Sequence, residues 1–283
     1  MEKQVAKPQI KESCNQEKTT TRKKTTLGEL GRQLPVGIKT ADGQLVKAFD
    51  HRRMKTKDEK AIAKHIKARM TQGQHVSHVL AQMCDRIGPY EFDDNMKFED
   101  RIIRIGQMFM GDVMHAYMSL RVAIIGPKVG LDVTCGGCRK EFRFFADLES
   151  TEVTTVTDDQ DLRWKYDLEY PIKLRGKEVK SFTITTPRWF AISQLDEEEE
   201  NVIKIATVRA SVIGLNDDPE EVMLTDQEMD ELDKYDIEGI AALMDDHVVG
   251  PDMVVEGYCP KCGASFKWPI PWVYNSFFAR SSR

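Results

Sequence analysis

CGGCRKEF runs from Cys135 to Phe142, and CPKCGASF from Cys259 to Phe266. Both read Cys-x2-Cys-x3-Phe. A Cys-x2-Cys pair on a tight turn aims two sulfurs at one point, with backbone N–H groups behind them, which is half of a zinc site. One pair cannot complete a tetrahedron, whereas two can. The matching Phe142 and Phe266 mark the stretches as equivalent hairpins. Cys135, Cys138, Cys259 and Cys262 are therefore expected to form one zinc ribbon with a single structural Zn2+ per chain. Half-sites completed by other chains, and free or redox-active thiols, are the competing readings.

The pairs are far apart, with 120 residues between Cys138 and Cys259. Ribbons more often place about 15–20 residues there. Three doublings of a loop cost roughly 2 kcal/mol in closure entropy. Structural zinc binding contributes roughly 10–16 kcal/mol. The insertion is thus affordable, the more so if it folds as a unit. Four thiolates fill the shell and leave no position for a reactive water, so the site reads as structural. Arg139, Lys140 and Lys261 flank the ligands and either moderate their negative charge or simply solvate the turns.

Around this centre the chain has 283 residues, 41% of them hydrophobic, and a mean hydropathy of −0.46, a globular composition. No apolar run reaches the roughly 18–20 residues that span a bilayer, so no membrane role is expected. The first residues, MEKQVAKPQI, lack a signal-peptide core, which suggests a reducing cytoplasm and cysteines that serve as thiols or ligands. Charge is uneven. Residues 1–33 carry eight Lys/Arg and four Glu, while residues 196–246 carry three Lys/Arg and eighteen Asp/Glu. Broad binding to a nucleic-acid backbone does not suit the acidic half.

Local patterns give an α+β fold class. Residues 1–33 read as a disordered basic arm, with order starting near Leu34. Residues 34–128 form a mainly helical region with an N-terminal β-hairpin turning at Asp42-Gly43. Its first helix follows a Thr56/Glu59 capping box, its second ends at Gly88-Pro89 with Cys84 on the apolar side, and its third splits near Met110. Residues 129–195 are β-rich and hold the first zinc hairpin, followed by two strands joined at Arg175-Gly176. Residues 196–250 are an acidic helical insertion, with a capping box at Thr225/Glu228. Residues 251–283 hold the second zinc hairpin and an aromatic C-terminal strap. Cys14 falls in the arm, and His75, His78, His115 and His247 lack the partners of a second metal site.

Nucleotide-binding, metalloprotease and nucleophile-elbow motifs are absent, and no pair of acids sits in an apolar setting. No catalytic residue is assigned, and no enzyme is expected. FKWPIPWVYNSFF, from Phe266 to Phe278, is either a strap closing the core or a partner anchor, and the strap is favoured.

Leu34-Pro35-Val36-Gly37, Asp58-Glu59, Gly111-Asp112, Tyr117, Leu120-Arg121 and Gly126, then the stretch Val133–Leu148, then Cys259–Phe278, follow one another in an order. That order resembles the T-even-phage baseplate hub assembly proteins and their relatives in other contractile-tailed phages. The likeness spans roughly residues 34–278 as sparse motifs. It departs from the family-like CPxCG turn at Cys135–Arg139, and the basic arm is extra. The resemblance implies a virus-encoded structural or assembly protein that binds other tail and baseplate hub proteins without catalysis. Its place would be the host bacterial cytoplasm during assembly or the virion tail baseplate. The alternative is a zinc-ribbon nucleic-acid-binding regulator. It needs a Lys/Arg-rich ribbon face with exposed aromatics. The hairpins offer only Arg139, Lys140, Arg143, Lys261 and Lys267.

Overall fold

The computed structural model describes residues 22–66, 70–158, 162–195, 200–218, 221–273 and 277–278. The expected disorder of residues 1–21, and Cys14 with it, lies outside the described residues. Order begins earlier than Leu34. Strand β1 (Lys23–Thr26) leads into the single turn α1 (Leu27–Leu30). A reciprocal capping box holds that turn: the Glu29 amide donates to Thr26 Oγ1, and the Thr26 amide to the Glu29 carboxylate.

Strands β2 (Gln33–Lys39) and β3 (Leu45–His51) form the expected hairpin. Gly43 turns it with φ +85°, a conformation glycine adopts without strain. Helix α2 (Thr56–Ile66) starts one residue early. The side chain reaching back is not that of Glu59 but that of Asp58, onto the Lys55 amide at 2.8 Å. Asp58 is fully buried and also takes both guanidinium arms of Arg52, at 2.7 and 2.8 Å. Arg52 holds its carboxyl well below the usual carboxylate range.

Helix α3 (Gln72–Met83) ends at Cys84, where the chain becomes strand β4 (Cys84–Ile87), then β5 (Tyr90–Glu91). The expected helix to Gly88 is therefore one turn too long. Cys84 is buried as expected, but on a strand. Helices α4 (Phe98–Gly106) and α5 (Met110–Ile125) break where Gly106 and Gly111 suggested. Every residue from Gly111 to Arg121 is buried, so α5 is the central rod of the main core.

Strands β6 (Lys128–Thr134) and β7 (Glu141–Asp147) form the first cysteine hairpin, and β8 (Glu152–Thr155) follows. Strands β9 (Arg163–Leu174) and β10 (Lys177–Thr185) pair across a turn in which Arg175 and Gly176 both have positive φ. Helix α6 (Trp189–Ser193) and helix α7 (Glu200–Ser211) come next. The β-branched end of the latter continues as β11 (Val212–Leu215). Helix α8 (Asp226–Met229) starts at the expected capping box, and helix α9 (Lys234–Asp245) follows. Strands β12 (Gly250–Pro251), β13 (Val254–Tyr258) and β14 (Ser265–Pro269) complete the fold.

The domain boundaries shift accordingly. Strands β9–β11 and helices α7–α9 share a second core built on Val179, Phe182, Ile184, Val208, Val212 and Ile240. The inserted unit therefore starts near Leu162, not at residue 196. Burying one such side chain stabilises by about 1.5–3 kcal/mol, so this core outweighs the loop-closure cost many times over. Its two ends meet: Leu162 and Val249 lie in one small cluster with Val36, Phe109 and Val156. Strand β8 pairs with β1 on one side and β12 on the other, closing the insertion with backbone hydrogen bonds.

The join is tight. A Cβ on Gly111 would lie 2.0 Å from the Val249 carbonyl oxygen, and one on Gly250 would lie 2.5 Å from the Gly111 Cα. Beside it, Asp112 is fully buried and accepts the amides of Val36 (2.7 Å) and Gly37 (3.1 Å). The Asp112 carboxyl is pushed up to about 7 by burial, against the pull of those two amides, Lys47 and Arg188. In an unfolded chain an aspartate ionises near pH ~4. Between these values the unfolded state has released a proton that the native state keeps. The Asp112 contribution is full below about pH 4 and falls as pH rises through 7. Asp112→Asn cannot titrate. Wild type should lose stability relative to this variant from pH ~4 to ~7, as read by urea unfolding. A difference independent of pH would contradict the assignment.

The aromatic C-terminus is a strap in this fold. Phe277 is fully buried and stacks on Tyr117 at 5.0 Å, Phe278 meets the same ring at 5.3 Å, and Trp272 meets Trp189 at 6.4 Å. Phe278 thus lies against α5 and Trp272 against α6. Phe277→Ala should cost about 3–5 kcal/mol in chemical denaturation. A variant of wild-type stability that loses a binding partner would make the terminus an anchor instead.

Candidate metal centre

Each cysteine hairpin is built by the same hydrogen bonds. The Cys135 amide donates to the Lys140 carbonyl at 3.1 Å, and the Arg139 amide to the Cys135 carbonyl at 2.8 Å. At equivalent offsets, the Cys259 amide donates to the Ala264 carbonyl and the Gly263 amide to the Cys259 carbonyl, both at 2.8 Å. Both turns need a left-handed residue at the fifth position, and the chain supplies Gly263 with φ +75° and Arg139 with φ +55°. The first turn thus keeps the backbone hydrogen bonds of the second with Gly136 and Arg139 in place of Pro260 and Gly263.

The four sulfurs converge, as their sequence spacing suggested. Cys135 Sγ lies 3.6 Å from Cys262 Sγ, and Cys138 Sγ lies 3.8 Å from Cys259 Sγ. All four lie within 4.8 Å of one another. A tetrahedral ion with metal–sulfur bonds of about 2.3 Å needs sulfurs about 3.8 Å apart, so the donor set fits. These four cysteines could hold a metal ion. Among the described residues no other group of three or more His, Cys, Asp or Glu does so.

Backbone amides face the sulfurs. The Cys138 amide donates to Cys135 Sγ at 3.5 Å, and the Lys261 amide to Cys259 Sγ at 3.4 Å. The Cys138 amide pulls the Cys135 thiol down to about 6. The Cys262 thiol, although the Ala264 amide donates to it, is held up at about 11 by the neighbouring sulfurs. The cluster resists carrying four negative charges alone, and a divalent cation removes that resistance.

Packing locks the hairpins together. Phe266 meets Phe142 at 5.4 Å and Phe144 at 5.2 Å, both edge to face. Phe266 can lie flat across its own hairpin because its cross-strand partner is Gly257, where a Cβ would meet the ring at 2.7 Å. Gly137 similarly leaves room for Ala264 of the other turn, 3.1 Å from where its Cβ would be. Lys261 reaches from the second hairpin to the Glu141 carbonyl of the first, at 3.1 Å. Of the three flanking cations it is thus a strut between hairpins, while Arg139 and Lys140 are exposed.

Three of the histidines are held by backbone carbonyls. His115 Nε2 lies 3.1 Å from the Gly31 carbonyl oxygen, His78 Nδ1 lies 2.8 Å from that of Gln74, and His247 Nδ1 lies 2.8 Å from that of Leu243. Composition and spacing assigned no role to two further buried ionic groups, Asp112 and Arg121. Arg121 donates to the Phe277 carbonyl at 3.1 Å and the Lys128 carbonyl at 2.7 Å, fixing the strap beside the first hairpin. Comparison with protein-family models, curated proteins and solved structures finds no match to this chain.

A left-handed residue other than glycine carries about 1–2 kcal/mol of strain. Arg139→Gly should therefore stabilise the metal-loaded protein by about 1 kcal/mol and raise its melting temperature by roughly 2–4 °C. A lower melting temperature would mean that the arginine side chain contributes more than its backbone costs.

Proposed function

We propose that this chain is a structural or assembly protein of a contractile phage tail. It acts at the baseplate hub as a non-catalytic, protein-binding scaffold, and its four thiolates hold one structural Zn2+. The reading rests on the way the motifs of the resemblance fall together in space. Leu34-Pro35-Val36-Gly37 meets Gly111-Asp112 through the Asp112 carboxylate. Tyr117 and Arg121 meet the terminal Phe277-Phe278. Motifs scattered along the sequence thus share one core. A tetrahedral four-sulfur set suits zinc or iron, and zinc is the ion that asks nothing of redox chemistry. A filled shell supplies stability, not catalysis.

The acidic segment is the surface we assign to a partner, in a narrower form than composition implied. Six of its carboxylates are paired with cations: Asp217, Asp218, Glu221, Asp226, Glu228 and Glu238. Arg175 pulls the Glu228 carboxyl down to about 2 while the same side chain caps α8. Among the described residues of the segment, Asp230, Glu231, Asp233, Asp245 and Asp246 are also exposed. A protein partner with a basic surface suits that face. The regulator reading loses ground on the ribbon itself. Lys261 is bonded to Glu141, Lys267 is paired with Glu256 at 2.5 Å, and Arg143 lies over Phe145.

Purified protein should carry one zinc per chain with no visible charge-transfer band, and Cys135→Ser with Cys259→Ser should abolish it. From infected cells the protein should co-purify with tail components in a salt-sensitive manner, and duplex DNA should not shift in a mobility assay. Sub-micromolar DNA binding with no tail protein recovered would favour the regulator.

A further inference from the structure

We propose that the metal centre is a redox-responsive staple. On exposure to hydrogen peroxide its thiolates leave the ion as two disulfides that join the hairpins crosswise, Cys135 to Cys262 and Cys138 to Cys259. The inference rests on the zinc reading above and concerns what ties the hairpins together once the ion has gone.

Across the hairpins Cys135 Sγ lies 3.6 Å from Cys262 Sγ and Cys138 Sγ lies 3.8 Å from Cys259 Sγ, and these two contacts together take in all four sulfurs. A disulfide bond is about 2.05 Å long, so each pair must close by roughly 1.6–1.8 Å. Each pair joins an accessible sulfur to a buried one. Cys262 is exposed and its partner Cys135 is buried; Cys138 is half-buried and its partner Cys259 is buried. Peroxide therefore reaches Cys262 and Cys138 first.

The chemistry balances without another reactant. The Cys262 thiolate attacks one oxygen of hydrogen peroxide and the O–O bond breaks. With one proton taken up, the products are a sulfenic acid and water. The Cys135 thiolate then attacks the oxidised sulfur, the S–O bond breaks, and the leaving hydroxide takes a proton to become a second water. Cys138 and Cys259 repeat the sequence. Two peroxides are reduced, four thiolates are oxidised to two disulfides, and the cation is released.

Closure within one hairpin is less accessible. The turn is held at both ends, Cys135 amide to Lys140 carbonyl and Arg139 amide to Cys135 carbonyl, and the second turn repeats this. Crosswise closure leaves those bonds intact and draws the turns together along the Phe142–Phe266 stack. Crosswise bonds also span 127 and 121 positions, so they keep the two ends of the insertion tied. Disulfides within the hairpins would leave the two turns without a covalent link to each other. Cys84 serves as an internal control: it is buried in the main core, and burial pushes its thiol up to about 12.

The test uses full-length, zinc-loaded protein carrying Cys14→Ser, titrated with hydrogen peroxide. Zinc release is followed with a chromogenic chelator, and disulfides are mapped by peptide mass spectrometry. One zinc should leave per two peroxides. Peptides linked 135–262 and 138–259 should appear, Cys84 should stay reduced, and thiol reductant with added zinc should restore the starting state. The oxidised protein should melt higher than the reduced, chelator-stripped protein. Zinc retained in excess peroxide, disulfides 135–138 and 259–262, or sulfinic acids in place of disulfides would each overturn the proposal. Reduced protein that holds no zinc before peroxide is added would overturn the zinc reading itself, and this inference with it.

Discussion

The Asp112 carboxylate accepts the amides of Val36 and Gly37, while Gly111 beside it touches Gly250 with no Cβ on either side. Three chain segments are fixed by that contact. It sets the start of the central helix α5 against strand β2, and it sets the return of the insertion against both. Each residue has a steric reason to be what it is. Gly37 has φ +96°, and a Cβ there would lie 2.9 Å from the Val46 carbonyl oxygen. A carboxylate in the first turn of α5 also faces the positive end of the helix dipole. Burial of that charge costs stability as pH rises, so the fold gains position here rather than free energy.

This join changes what the metal has to do. A zinc ion spanning 120 residues would otherwise bear the whole cost of closing the insertion. Strands β8 and β12 already close it with backbone hydrogen bonds, and Leu162 and Val249 close it with apolar burial. A metal ion held by the four cysteines would be left with a local task. It would join two short two-stranded hairpins face to face, and two-stranded hairpins are marginal alone. Phe142, Phe144 and Phe266 form the packed layer between them, and the four sulfurs lie at the turn end.

The α+β class, the two cysteine hairpins, the split between α4 and α5, and the cap at Thr225 were legible because each is a local signal. Cysteine spacing, paired glycines and a Thr-x-x-Glu box need no knowledge of the rest of the chain. The early start of order was not legible. Strand β1 is short and polar, and it exists because β8 lies beside it, 128 residues away at the Lys24–Glu152 ion pair. Helix α6 is equally non-local. It docks where Gly73 lets the Ser193 backbone approach, a Cβ there falling 2.4 Å from the Ser193 Cα, and Trp189 donates to Ser77 at 2.8 Å. The insertion boundary moved for a related reason. Strands β9 and β10 look like neighbours of the first zinc hairpin in sequence, but their apolar faces belong to α7–α9.

Arg121 carries the argument about the C-terminus one step further. It is fully buried, and among the described residues no carboxylate pairs with it. Its Nη1 has no hydrogen-bond partner among those residues, so the buried guanidinium depends on two carbonyl acceptors, of which Phe277 supplies one. Lifting the strap to bind a partner would strip Arg121 of that acceptor and expose Phe277 and the Tyr117 ring together. Both penalties act in the same direction. The strap therefore belongs to the folded core.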